Sequence, residues 1–485
     1  MLAMLFVMPW PLASNRIWIQ GAWLAMVSLL AVGQVWRSPS MLQRGHAFGV
    51  PRGMRLHMGL LAAWTAWIAV QLVPLPAFMH ALLDHSRVPG FPASDAVYAP
   101  LSLDPYSTRA YLVRAVLMLL TQWLLLRVFN NRLRLAKLVW VWLVAGVVEA
   151  ALGVVLFAAG ASYTLFFTHV EQGLRARGTF VYQNHFAGYM ELMLALGIGW
   201  MIALLGYAPP AGGRTPFLRA LQSVARFFAS SKAPLRAFLI VFVIALIASR
   251  SRMGNAAFFI SLWLVGGATL VALWRRGEVG AGVARVVAVF MLSILVLDVL
   301  IIGDVVGIDR VMQRLDETHL QNAAPGVRDK EQTVEQRIAP GERALRMLED
   351  FPVAGVGGGT FFLAYLPYKP RDVTGFYDHA HDDFVEFGVE SGLVGILLLG
   401  AMLGWSQWRG WNLLLRSNSS ALERGLAFAS VMGVTEILIH STVDFNLQNP
   451  TNAVLFLWLL ALPHWIEARR GRHGITRVRD GFDLP

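Results

Sequence analysis

Runs of about twenty apolar residues recur along this sequence, and nothing else in it limits the fold as strongly. The stretch "LVWVWLVAGVVEAALGVVLFA" (138–158), interrupted only by Glu149, is one example. Lipid offers backbone groups no water, so such runs cross it as helices whose N–H and C=O groups pair internally. Composition agrees: 56% of the 485 residues are hydrophobic and 15% are charged. A soluble domain carries about 25% charged residues. The fold class read here is all-α, a polytopic membrane protein of about twelve spans. They fall near 1–12, 17–36, 57–73, 110–129, 136–158, 186–207, 235–249, 253–274, 283–303, 386–405, 424–443 and 451–466. Met1–Leu12 has no basic segment before it, so it reads as a short first span and not as a cleavable signal. Zero cysteines exclude disulfides, thiolate metal sites and a cysteine nucleophile.

Lys and Arg alternate from one connection to the next. Arg37, Arg44, Arg52 and Arg55 follow the second span, and Arg127, Arg132, Arg134 and Lys137 follow the fourth. Arg214, Arg219, Arg226, Lys232 and Arg236 follow the sixth, and Arg469, Arg470, Arg472, Arg477 and Arg479 fill the tail. By the positive-inside rule these connections are cytoplasmic. The net charge of +11 is then an orientation signal met by anionic lipid. Nucleic acid is not an expected partner. Four regions follow: 1–303 (spans one to nine), 304–385 (a periplasmic subdomain), 386–466 (the last three spans) and a basic cytoplasmic tail at 467–485. The 304–385 segment holds fourteen acidic and nine basic residues. Its amphipathic stretch "GERALRMLEDFP" (341–352) predicts a short helix there.

Three polar clusters fall at outer helix ends. One is "LRARGTFVYQNHFAGY" (174–189), with Arg175, Arg177, Asn184 and His185. The second is "ASRSRMGN" (248–255), with Arg250 and Arg252, and the third is "YDHAHDDFVEFG" (377–388), with His379, His381, Asp382 and Asp383. Arginines on an outer face run against the positive-inside bias, and their planar donor forks suit phosphate oxygens. A single arginine at a helix end is equally explained by snorkelling to headgroups. Capping is enough to explain Asn184 and His185. For the third cluster, a metal would need three or four converging ligands, whereas a general base needs one imidazole and an orienting carboxylate. A capped, hydrated helix start is the structural alternative. Glu149, Asp298, Glu390, Glu436 and His440 are intramembrane ionisable groups that also fit a proton relay. "GVGGGTF", beginning at Gly355, lacks the Lys-Ser/Thr of a phosphate-binding P-loop; it reads as a turn that lets backbones approach closely.

In order along the chain, "RARGTFVYQNHFAGY", "SRSRMGN", "ERALRMLEDFPVAGVGGGTF" with "HAHDDFVEFGVESGLVG", and "HSTVDFNLQNPTNAVLF" resemble the O-antigen ligase family. Its relatives include O-antigen polymerases and membrane O-oligosaccharyltransferases. The likeness covers most of 170–460. It implies glycosyl transfer at the periplasmic side of a bacterial inner membrane, independent of metal and of any cofactor. The implied donor is a glycan on undecaprenyl pyrophosphate, and the implied acceptor is a sugar hydroxyl of lipid A–core or of another glycan. The family's essential histidine matches His381; relatives often carry Asn at the position of Asp382. Its essential arginines match Arg175 and Arg252, with Arg177 and Arg250 close enough in register to substitute. The chemistry is consistent: pyrophosphate leaves readily, arginines stabilise the charge that grows on it, and a base deprotonates the attacking hydroxyl. His381 would be that base, oriented by Asp382 or Asp383, and direct displacement would invert the anomeric centre. Asn184 and His379 complete the expected binding set. A polymerase of the same chemistry, and a transporter of the same lipid carrier, are the rival expectations.

Overall fold

The computed structural model describes residues 1–37, 50–83, 98–160, 175–204, 233–279, 334–369 and 377–470. The helices run α1 (Leu2–Val7), α2 (Ile17–Trp36), α3 (Arg55–Val70), α4 (Ala77–Leu82), α5 (Pro105–Val128), α6 (Arg132–Ala158) and α7 (Gln183–Leu204). They continue with α8 (Ala233–Ala248), α9 (Arg252–Ser261), α10 (Gly267–Arg275), α11 (Val334–Asp350) and α12 (Phe361–Tyr365). The last three are α13 (Asp383–Leu415), α14 (Ala421–His440) and α15 (Pro450–Arg470). A two-residue ladder, Leu75–Pro76 with Tyr98–Ala99, is the only strand pair among the described residues.

Seven helices are long and apolar enough to cross a membrane: α2, α5, α6, α7, the continuous rod of α9 and α10, α13 and α15. α8 is apolar but shorter, with 16 residues. Three of the expected twelve spans need correction, and one of them, 57–73, is the 16-residue α3, which is not among these eight helices. Residues 1–12 give only the six-residue α1, ~9 Å of helix against a ~30 Å hydrocarbon core. The expected span at 424–443 is helical as α14, yet Glu423, Arg424 and Glu436 make it more charged than the most apolar 18-residue stretch of each of those seven helices. It is buried from Gly425 to Val434 on all sides, so protein surrounds it where lipid would demand hydrophobicity. Gly199 of α7 faces Gly425 so closely that a Cβ on either would lie 2.4 or 2.3 Å from the other's carbonyl oxygen. Small residues at such a crossing let two helices pack backbone to backbone. The span expected at 283–303, with Asp298, lies outside the described residues, as do 304–333.

Helix ends sort by charge. The ends of α5, α10, α13 and α15 and the starts of α6 and α14 carry Arg127, Arg275, Arg416, Arg469, Arg470, Arg132, Arg134 and Arg424. There Arg470 pairs with Glu423 at 2.6 Å, Arg424 with Glu278 at 2.9 Å, and Arg409 with Glu467. The starts of α7, α9, α13 and α15 meet the ends of α6, α8 and α14 at the opposite end. The polar clusters are all there.

α13 is not one continuous helix. Gly392 takes φ 62° and ψ −166°, a conformation open essentially to glycine. The freed amides of Leu393 and Val394 donate to Pro352 and Val353 carbonyls at 2.8 and 3.4 Å. The glycine-rich run supplies that partner backbone: Val356 N donates to Val389 O, and Gly357 N to Glu390 O. A Cβ on Gly355 would lie 2.6 Å from the Glu390 carbonyl. The close approach expected of "GVGGGTF" is therefore what repairs the break. α11 contains the expected amphipathic stretch. Its Ala344 and Met347 form a second small core with Phe351, Val356, Phe361, Tyr365, Ala380 and Val389. This cap rests on the first turns of α13.

Candidate functional site

The loop joining α14 to α15 begins Ser441-Thr-Val-Asp-Phe445, and Phe445 is the hub of the polar end. Four rings surround it. His379 stacks on it at 4.2 Å between centroids and 19°, while Tyr182 lies nearly parallel at 5.7 Å and 10°. His185 and His381 meet it edge-on at 4.7 and 5.0 Å. Three histidines from two separated stretches thus share one phenylalanine. His381 is 7% exposed and has φ +53°, a left-handed conformation that costs a non-glycine residue about 1–2 kcal/mol. The neighbours of His381 hold that turn. Ala380 N donates to Glu386 Oε2 at 2.8 Å, and Asp383 N lies 3.1 and 3.2 Å from the carbonyls of Ser441 and Asp444.

The two aspartates beside His381 have separate employment. Asp382 is the N-cap of α13: its Oδ1 accepts from Phe384 N and Val385 N at 2.8 and 3.0 Å. Burial raises its pKa against those two hydrogen bonds. Asp383 turns inward, and its Oδ2 accepts from Ser441 Oγ at 2.6 Å and Leu447 N at 3.0 Å. The carboxylate that holds an imidazole here is Glu386, whose Oε1 lies 2.7 Å from His379 Nδ1. Burial alone would lower the His379 pKa, but Glu386 overrides it and raises it to about 9. His379 is then a cation at neutral pH, stacked on an aromatic face. Among the described residues no three His, Asp or Glu side chains converge as metal ligands would.

Asn184 and His185 correct the capping expectation. Asn184 is the second residue of α7 and is buried; its Nδ2 donates to Asp444 Oδ2 and, at 3.0 Å, to Tyr182 Oη. His185 Nε2 lies 4.0 Å from Asp444 Oδ1, and its carbonyl accepts from Asn452 Nδ2 at 2.9 Å. Of the intramembrane groups, His440 Nδ1 meets Glu191 Oε1 at 2.7 Å, and its Nε2 is 3.9 Å from Asp444 Oδ2. Glu390 Oε1 accepts from Phe361 N at 3.3 Å. Glu149 Oε1 accepts from both N and Oγ1 of Thr179 at 2.6 and 2.9 Å, tying down the turn that carries Arg175 and Arg177.

The two arginine pairs lie on adjacent backbone, because Ala176 N donates to Ala248 O at 2.8 Å. Arg177 Nη1 donates to Val181 O at 3.3 Å, and Arg250 lies over the Phe157 ring at 5.9 Å with φ +53°. Arg250 and Arg252 are exposed and Arg175 and Arg177 partly so. Ser251 caps α9 through Gly254 N at 3.2 Å. Gly254 packs so tightly on α7 that a Cβ would be 2.9 Å from Glu191 Oε1. The arginine turn therefore reaches the histidine hub through Glu191, His440 and Asp444.

Glu386, Glu191, Asp444, Phe445 and Arg114 were not selected from the sequence. Arg114 binds Gln448 three residues past Phe445. A polar "HSTVDFNLQN" between two apolar helices was the one available signal for three of these contacts. Residues 237–400 match the family model described as O-antigen ligase, and no curated protein matches the chain. That match covers Arg250, Arg252, His379 and His381 and excludes Arg175, Arg177, Asn184 and Asp444.

Proposed function

With an O-antigen ligase segment at residues 237–400 as the premise, we propose that this membrane protein is an inverting, metal-independent glycosyltransferase. It moves a glycan from undecaprenyl pyrophosphate to a sugar hydroxyl of lipid A–core. The basic helix ends face the cytoplasm by the positive-inside rule, which orients the histidine hub toward the periplasm of a bacterial inner membrane. The described part of the 304–385 segment, residues 334–369 and 377–385, acts as a lid over that end.

His381 is the general base in this reading and removes the hydroxyl proton as the glycosidic bond forms. Arg175 and Arg252, on neighbouring backbone, neutralise the departing pyrophosphate, and Arg177 and Arg250 extend the same basic surface. His379, cationic beside Glu386, adds a second positive group next to the base. Asp383 and the capping Asp382 position the turn that carries both imidazoles, and Asn184 holds Asp444 beneath them. One observation carries the reading: the histidine hub and the arginine turn lie at the same end of the bundle, linked through the packing of Gly254 on α7 and the Glu191–His440–Asp444 contacts.

The deciding experiment is reconstitution of purified protein with an undecaprenyl-pyrophosphate glycan and lipid A–core, beside His381→Ala. Transfer that survives a chelator and vanishes in the variant supports the proposal. Transfer unchanged by His381→Ala, or restored only by added metal, overturns it. Glycan chains extending without lipid A–core would identify a polymerase of the same chemistry.

A further inference from the structure

Arg114 lies on α5, inside the span read at 110–129, where an arginine is costly unless it snorkels or has a partner or a ligand. Its protein partners are all neutral. The two Nη atoms donate to the carbonyl and Oε1 of Gln448 at 2.8 to 3.1 Å, and the guanidinium lies over the Tyr111 ring at 5.2 Å. Among the described residues no Asp or Glu is ion-paired with Arg114. The acids closest to its Tyr111 ring make their hydrogen bonds elsewhere: Glu386 with His379, Asp383 Oδ2 with Ser441 and Leu447, and Glu390 Oε1 with Phe361 N. Nε is not among the donating atoms, and the side chain is only partly buried.

Its position ties it to the hub. Gln448 follows Phe445 in the same short loop, and Phe445 stacks on His379. The Arg114 charge is close enough to oppose Glu386 in setting the proton affinity of His379. A cation inside an apolar helix, anchored by neutral acceptors beside the hub and with no carboxylate within ion-pair reach among the described residues, is arranged to receive an anion. We infer that Arg114 is a third arginine of the site and contacts a phosphate group of the bound substrate. Which phosphate it meets, that of the polyprenyl carrier or one on the acceptor glycolipid, rests on the transfer reading above; the anion site itself does not.

The test starts with inorganic pyrophosphate as probe, titrated into purified full-length protein in detergent while the thermal-unfolding midpoint is followed. Wild type is expected to be stabilised. Arg114→Met should weaken apparent pyrophosphate affinity about ten- to a hundredfold, the range of a lost charge-assisted hydrogen bond. Arg114→Lys should fall between them. Gln448→Leu removes the anchor but keeps the guanidinium, so it should stay within about threefold of wild type, since only a neutral contact is lost. The inference is overturned if wild type shows no pyrophosphate response, if Arg114→Met binds as wild type does, or if Gln448→Leu loses as much as Arg114→Met. In the transfer assay, a raised KM for donor assigns the contact to the carrier pyrophosphate, and a raised KM for acceptor assigns it to the acceptor. Unchanged KM for both overturns the substrate contact. A wild-type protein that binds pyrophosphate through Arg114 but transfers nothing would sink the transferase reading and leave the anion site standing.

Discussion

Two groups of histidines stand at opposite ends of this bundle, and they are built differently. At the basic end, His57 and His464 face each other with ring centroids 5.2 Å apart. His464 Nε2 meets Ser406 Oγ at 2.8 Å; His57 Nε2 is 3.4 Å from Gln122 Nε2, which also donates to Leu457 O. Every one of these hydrogen-bond partners is neutral. At the other end His379 meets Glu386, His440 meets Glu191, and His185 approaches Asp444. Neutral partners fix the positions of α3, α5, α13 and α15 without creating charge. Carboxylates also set how strongly an imidazole holds its proton, and among the described residues it is the second group that has them.

That contrast breaks most sharply at His381. His381→Ala should lower transfer about 10²- to 10⁴-fold, the usual worth of a general base, with folding checked by the thermal midpoint. Arg252→Lys keeps the charge and loses the fork; transfer should fall about 10- to 100-fold in steady-state assays. Wild-type activity in that variant would make Arg252 a headgroup anchor. Glu386→Gln tests the tuning directly. Because the His379 pKa is raised above its ordinary value, the His379–Glu386 ion pair is intact below pH 6.5 and is lost as pH rises through about 9. The wild-type thermal midpoint should therefore drop through that alkaline window. The variant should lack most of the drop, because burial and Arg114 lower the His379 pKa and only Asp378 is left to raise it. Smallest of all is Ser406→Ala at the neutral end. It should cost about 1 kcal/mol of stability with transfer per folded molecule unchanged; a fall in transfer would make the two ends alike after all.

Much of the hub was legible in advance because its pieces are contiguous. "YDHAHDD" marks a polar helix start, and "SRSRMGN" a turn whose glycine allows close packing. Their coming together was not legible. Asp444 and Phe445 belong to a loop whose resemblance to the family says nothing of which residues meet the histidines, and Glu386 looks like one polar residue on an apolar helix. α14 misled for a related reason: hydropathy measures what lipid tolerates, whereas this helix is enclosed by protein. Residues 1–12 misled because an apolar run states composition and not helix length.

The membrane-spanning helical class, the basic end of the bundle and the cap helix α11 follow from the amino-acid order alone. Hydrophobicity, charge and amphipathic period are summed over neighbours in the chain, so no distant partner is needed to read them. Which imidazole acquires a carboxylate, which aspartate merely caps, and how Arg114 comes beside His379 depend on distances between separate helices. Gln448 lies 334 residues from the arginine it anchors, and only packing α5 against the loop before α15 brings the two within hydrogen-bond reach.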